Sequence, residues 1–374
     1  LSEKIGWIDN LRAMACMMVV MIHATTYYVT NGAAIGLHNW DIANVLNSLS
    51  RVSVPLFFMI SGYLFFGEKS AGRRHFTRIA CCILFYSAIA LIYIAAFTKI
   101  GFWPSLRGIL QKPVFYHLWF FYAIAVIYLL SPLISVKPVS RRYLAVALVV
   151  LAALANPNTD KLAFGNAHLL PVNLYIYGDT FYYLLYALAG RAIGMMEARG
   201  RAVGWLAALG FALCVALIAR GTKHQLFING NFADTYYIYS GPLVFMAAVA
   251  LLVWVKHCLP QPIGWLSAFS RHSLAIYGFH ALIVNVMRSR HLDFTGHPLL
   301  DIFWVFGVAL GAACCCLLAC SGWIPAGWCH SGERWRCWAR RSCRPEEKPA
   351  ASAAFSNPYP CCRRCCATAN RSCS

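Results

Sequence analysis

Ten apolar runs, separated by loops that hold most of the charge, constrain this chain more than any other feature. They fall at about 13–29, 45–66, 79–98, 117–135, 143–155, 176–196, 203–219, 236–255, 273–287 and 299–318. A segment crossing hydrocarbon must satisfy its own backbone polar groups, so runs of this length close as helices. The chain is 60% hydrophobic and 12% charged, where a soluble domain carries about 25% charged residues. The expectation is an all-α, polytopic integral membrane bundle of about ten transmembrane helices. Two runs, 143–155 and 273–287, are short for a core of about 30 Å. If both termini are cytoplasmic, the inside segments up to residue 272 carry thirteen Lys and Arg and the opposite loops eight. The positive-inside rule favours that orientation. Trp40, Trp103 and the stretch from Tyr175 to Tyr183 cluster at the outer boundary, as interfacial aromatics do. The first run is too long, and too aromatic at its far end, for a cleaved leader, so it is expected to stay in the protein.

That first run carries the most informative spacing. Arg12 and His23 are eleven residues apart, which on a helix is about 16 Å of rise. Eleven steps of roughly 100° nearly close three turns, so both side chains lie on one face. Ionisable groups at membrane depth are expensive and usually face a cavity or a functional path. A histidine bonded to a neighbouring helix is the plainer alternative. Asp9 stands three residues before Arg12, in reach to pair with it.

Elsewhere the polar residues fall into small sets. Residues 51–63 read RVSVPLFFMISGY; Pro55 removes a backbone donor, and Ser53, Ser61 and Gly62 permit close helix contact. Arg74 and Arg78 share one face at i and i+4, either as snorkelling anchors or as a phosphate clamp. Tyr116, His117 and Trp119 read as interfacial belt. Ser273, Tyr277 and His280 form one polar stripe on a short apolar helix, and such a stripe does not face lipid.

No nucleotide loop, zincin helix or nucleophile elbow occurs. The net charge of +19 sits in loops and tail and is no argument for nucleic acid. Five of the 17 cysteines precede residue 313 and read as small apolar packers; the other twelve follow it. In GC-rich DNA a CTG leucine codon shifted by one base becomes TGC, which is cysteine. Residues 314–374 are therefore expected to be an aberrant, frameshift-like, disordered Cys/Arg-rich tail behind a membrane domain at 1–313. A metal-binding tail around Cys362 and Cys365 is the rival; no metal site is expected.

Taken together, Asp9-x2-Arg12-x10-His23, the segment from Val54 to Phe58 with Ser61-Gly62-Tyr63, Arg74-x3-Arg78, Leu118-Trp119-Phe120 and Ser273-x3-Tyr277-x2-His280 resemble membrane acyltransferase family 3. The resemblance runs from about residue 5 to 312. Those polytopic bacterial enzymes O-acetylate surface glycans, which implies acetyl-CoA as donor, a lipid-linked or polymeric glycan as acceptor, no bound cofactor and an inner-membrane location. It implies Arg12, Arg74 and Arg78 for the donor phosphates, and His23 as base or transient nucleophile with Asp9 fixing Arg12. Tyr277 and His280 would orient the acceptor or stabilise the oxyanion; Ser61, Trp119 and Ser273 would contact substrate. A proton-coupled transporter is the main alternative and a glycan-binding scaffold a second. Against transport stands the expectation that no inner helical stretch has a well-buried Asp or Glu, and that no internal repeat is visible.

Overall fold

The computed structural model describes residues 5–320 apart from 99–100, 109–111, 157–162, 165–166, 169–177, 199 and 295–296. By contacts the chain divides into Leu1–Ser331 and Gly332–Ser374. The second unit, and with it most of the expected aberrant tail, lies outside the described residues.

Thirteen α-helices account for most of the described chain: α1 Gly6–Thr30, α2 Gly32–Ile35, α3 Leu37–Ser50, α4 Ser53–Phe65, α5 Arg73–Phe97, α6 Phe102–Arg107, α7 Trp119–Leu130, α8 Arg141–Leu154, α9 Asp179–Met195, α10 Arg201–Asn229, α11 Pro242–Cys258, α12 Gly264–Ser289 and α13 Pro298–Cys320. Strand is confined, among the described residues, to an antiparallel pair of two-residue strands, Ala163–Phe164 with Ala167–His168. The architecture is that of an all-α polytopic membrane protein. Among the described residues, six stretches are long and apolar enough to cross a membrane: Gly6–Thr30, Leu37–Phe65, Arg73–Phe97, Tyr116–Leu133, Arg201–Asn229 and Pro298–Cys315. Each of the ten apolar runs holds a helix, but α8, α9 and α11, at 14, 17 and 17 residues, fall short of a full crossing of about 20.

Two elements differ from the sequence reading for clear reasons. The run at 45–66 is two helices, because the chain turns at Arg51 and Val52 before restarting at Ser53. Pro55 is the third residue of α4, where its missing N–H is one of the donors a helix start leaves unpaired anyway. The short run at 273–287 belongs to the 26-residue α12. Its first turns hold Ser267, Ser270, Arg271 and His272, which end the apolar run without ending the helix.

α1 sits at the centre, packed against α3, α4, α11, α12 and α13. A second close pair is α4 on α9. A Cβ on Gly190 would lie 2.1 Å from the Met59 carbonyl oxygen, and one on Gly62 would lie 1.9 Å from that of Ala187. Small residues let the two backbones touch, as membrane helices require where solvent exclusion does not drive association. Lys256 on α11 closes the far end of α9: its Nζ donates to the carbonyls of Ile193 (2.8 Å), Gly194 (2.9 Å) and Met196.

One expectation is overturned. Asp301, in the first turn of α13, is 0% exposed. It pairs with Arg288 at 2.7 Å and accepts the Tyr28 hydroxyl at 2.6 Å. The sequence hid this carboxylate because its cation partner lies thirteen residues back on another helix.

Candidate functional site

The single uninterrupted α1 keeps the spacing of Arg12 and His23, and each opens on a cavity of its own. At the Arg12 end, a cavity of about 220 Å³ is lined by Arg12, Arg78, Arg271, His75, Ser61 and Ser273 among other residues. Arg12 is held there: its Nη1 lies 3.2 Å from Asp9 Oδ1, and the Ser270 hydroxyl donates to that oxygen at 3.1 Å. Asp9 does not line the cavity but fixes the guanidinium, as its i−3 spacing predicts. Asn10 anchors the same turn of α1. Its amide donates to the carbonyls of Leu259 (3.0 Å) and Gln261 (2.7 Å), and its Oδ1 accepts from Ile263 N–H at 3.0 Å. The loop leading into α12 is thereby clamped to the α1 start.

At the His23 end, a cavity of about 430 Å³ is lined by His23, Arg51, Tyr116, His117, Trp119, Tyr239, Asn285 and Arg288, with others. Tyr277 lines both cavities.

Three histidines meet on the His23 side. The His23 and His280 rings are 4.9 Å apart, and His117 and His280 5.3 Å. Tautomers follow from the backbone contacts. His280 Nδ1 lies 3.0 Å from Ile276 O and 2.7 Å from Tyr277 O, so it carries the proton. Its Nε2 is buried with no partner among the described residues. His117 Nε2 donates to Gly278 O at 3.1 Å, leaving Nδ1 as the lone-pair nitrogen. Tyr277 donates its hydroxyl to the His117 carbonyl, so His117, Tyr277 and His280 form one cross-braced unit between α12 and the turn before α7. The Tyr116 hydroxyl lies 3.5 Å from His23 Nδ1, at the outer limit of a hydrogen bond. No group of three His, Cys, Asp or Glu able to hold a metal occurs among the described residues.

Trp119 and Tyr239 give this cavity an aromatic side, with Tyr183 and Phe58 packed behind it. Trp119 stacks on Tyr183 at 5.5 Å, Tyr183 on Phe58 at 4.5 Å, and Tyr239 lies 6.1 Å from Trp119.

The structure thus gathers His23, Tyr277 and Trp119 at one cavity, with the fully buried His280 against His23 but outside the lining, and Arg12, Arg78, Ser61 and Ser273 at the other. Ser61 and Ser273 stand on the Arg12 side, apart from Trp119. Arg74 is exposed and outside both linings, while His75 takes the inward position beside Arg78. Sequence reasoning missed Arg51, Ser270 and Arg271, and treated Tyr116 and His117 as belt. Extending the α12 stripe back one turn from Ser273 reaches Ser270, which was legible. Nothing in the pattern around Arg51 marks it.

The fold and its cavities define a membrane-embedded helical bundle with an arginine-lined cavity at one end of its central helix and a histidine-lined cavity at the other. Residues 5–320 match the family described as the acyltransferase domain of acyltransferase family 3, and the chain belongs to that family. A serine/alanine racemase from Enterococcus gallinarum is 32% identical over 132 residues. That alignment covers 31% of this chain and 18% of the racemase, so the chain spans a minor part of that protein. No solved structure matches.

Proposed function

We propose that this membrane acyltransferase moves acetyl from cytoplasmic acetyl-CoA to a sugar hydroxyl of a bacterial surface polysaccharide, from the inner membrane with both termini cytoplasmic. The carrying observation is that the arginine-lined cavity and the histidine-lined one share a lining residue, Tyr277. Acetyl-CoA carries phosphates at one end and a thioester at the other. Arg12, Arg78 and Arg271 suit the phosphates through planar, charge-assisted bonds. The pantetheine arm spans about the 16 Å of helix between Arg12 and His23. The aromatic wall of Trp119 and Tyr239 suits the apolar face of a sugar ring.

His23 is the reacting group. As general base it takes the acceptor hydroxyl proton while the sugar oxygen attacks the thioester carbonyl. The C–S bond then breaks, and the leaving thiolate receives the proton from the imidazolium. In the covalent variant the imidazole nitrogen first displaces the thiolate, giving an acyl-imidazolium; the sugar oxygen then displaces the imidazole, and the hydroxyl proton passes through the freed imidazole to the thiolate. His280 presents an unpartnered Nε2 beside His23. Tyr277, with its hydroxyl committed to the His117 carbonyl, is a positioning residue.

Stretches 40–67 and 229–242 resemble the enterobacterial common antigen O-acetyltransferase, and repeat units of that antigen are the acceptor proposed. Transport is the weaker reading, since the buried Asp301 is neutralised by Arg288 and stands as a fixed pair. The test is purified protein given radiolabelled acetyl-CoA, with and without a lipid-linked glycan. Label moving to glycan supports the reading; glycan uptake without transfer overturns it in favour of transport.

A further inference from the structure

Two arginines line the His23 cavity, and their electrostatic situations differ. Arg288 Nη1 lies 2.9 Å from Asp293 and 2.7 Å from Asp301. That charge is spoken for. Arg51 has no carboxylate partner among the described residues. Its Nε donates to Asn47 Oδ1 at 2.7 Å, and its guanidinium carbon stands 4.2 Å over the Tyr237 ring. Its mount is rigid: Asn47 is fully buried and donates in turn to Thr25 Oγ1 at 2.9 Å, on the α1 turn after His23. No Asp or Glu lines this cavity.

A cation in the wall of a membrane-embedded cavity costs free energy unless it is paired. Here the Nε edge is occupied by Asn47 and one face by Tyr237, and the Tyr239 side chain hydrogen-bonds the guanidinium. These partners are neutral, and the guanidinium still lines the cavity with N–H groups that match a carboxylate or phosphate. An entering anion supplies the negative charge that the wall lacks.

We propose that Arg51 receives an anionic group of the acceptor, so the enzyme selects a glycan bearing a carboxylate or a phosphate. This deepens the acetyl-transfer reading and rests on it for the word acceptor. The anion has two possible sources: an acidic sugar, or the diphosphate of a lipid carrier.

The test is a binding measurement without acetyl-CoA, so it stands apart from turnover. Full-length protein in nanodiscs is titrated calorimetrically with a glucuronic-acid-containing disaccharide, with its neutral methyl ester, with free N-acetylglucosamine, and with N-acetylglucosamine on a short polyprenyl diphosphate. A charge-assisted contact predicts about a tenfold or greater preference for the charged member of one pair. Preference for the acid over the ester assigns the anion to the sugar; preference for the polyprenyl diphosphate over the free sugar assigns it to the carrier. In either case Arg51→Gln removes the preference and Arg51→Lys keeps part of it. Equal binding within both pairs by the wild-type protein, which needs no variant to fold, overturns the proposal. So does a preference that survives Arg51→Gln. Discrimination without acetyl transfer in the radiolabel assay would sustain the Arg51 subsite as an anion site and overturn the transfer reading alone.

Discussion

Tyr277→Phe isolates one atom of the residue that both cavities share. The ring keeps its neighbours, with Phe120 at 5.3 Å, Phe121 at 5.4 Å and His280 at 5.6 Å. What disappears is the hydroxyl bond to the His117 carbonyl. Leaving a buried carbonyl unpaired costs about 1–3 kcal/mol in soluble proteins, while single interhelical bonds in membranes average nearer 0.6 kcal/mol. A working value is about 1 kcal/mol, or roughly a fivefold loss in the population that holds His117 and His280 in place. We expect initial rates of radiolabelled acetyl transfer to fall about three- to tenfold, with an unfolding midpoint lower by a few °C at most. A group acting directly in proton transfer would cost about 10²–10⁴. A loss beyond a hundredfold at an unchanged midpoint would refute the positioning role and put the hydroxyl on the reacting carbonyl. Wild-type rate and stability together would refute the bond itself.

The remaining expectations are more direct. His23→Ala should abolish acetylation while the protein still inserts, because alanine is apolar; acetyl content of the glycan at matched membrane levels measures it, and normal content removes His23 from the chemistry. Arg78→Ala should weaken acetyl-CoA binding about tenfold or more, Arg78→Lys should recover part, and the exposed Arg74→Ala should change little; calorimetry that ranks Arg74 above Arg78 would contradict the cavity lining. Gly190→Val should destabilise the protein by about 1–3 kcal/mol or more, since its Cβ would meet the Met59 backbone. An unchanged thermal midpoint would mean that α4 and α9 do not touch there.

What could be read from the chain, and what could not, divides by how far apart the partners lie in sequence. Arg12, His23 and Asp9 share one helix, so periodicity alone aligned them. Ser273, Tyr277 and His280 were likewise visible as a stripe. Arg51 was not, because its meaning comes from Asn47, Tyr237 and the cavity that α1 and α12 close around it. Asp301 was overlooked for the same reason, its partners being Tyr28 and Arg288 on other helices. The α3–α4 break was half visible: Pro55 announced a disruption, but the turn falls three to four residues earlier, where the lost i−4 bond would have been accepted. Arg74 and Arg78 show the reverse failure. Their i, i+4 spacing is real, yet only one of them reaches the cavity.

The residue shared by the two cavity linings also has an electrical meaning. On the proposed chemistry acetyl leaves the sulfur as an acylium equivalent, with the electron pair staying on the thiolate, and the sugar hydroxyl proton ends on that thiolate. One unit of positive charge therefore moves each way, and the turnover is electroneutral, whereas a lone proton crossing the membrane field would be worth about 2.3 kcal/mol per 100 mV. Acetylation in proteoliposomes should run at the same rate under either polarity of the membrane potential. A rate that changes with polarity would mean that the proton does not return to the thiolate.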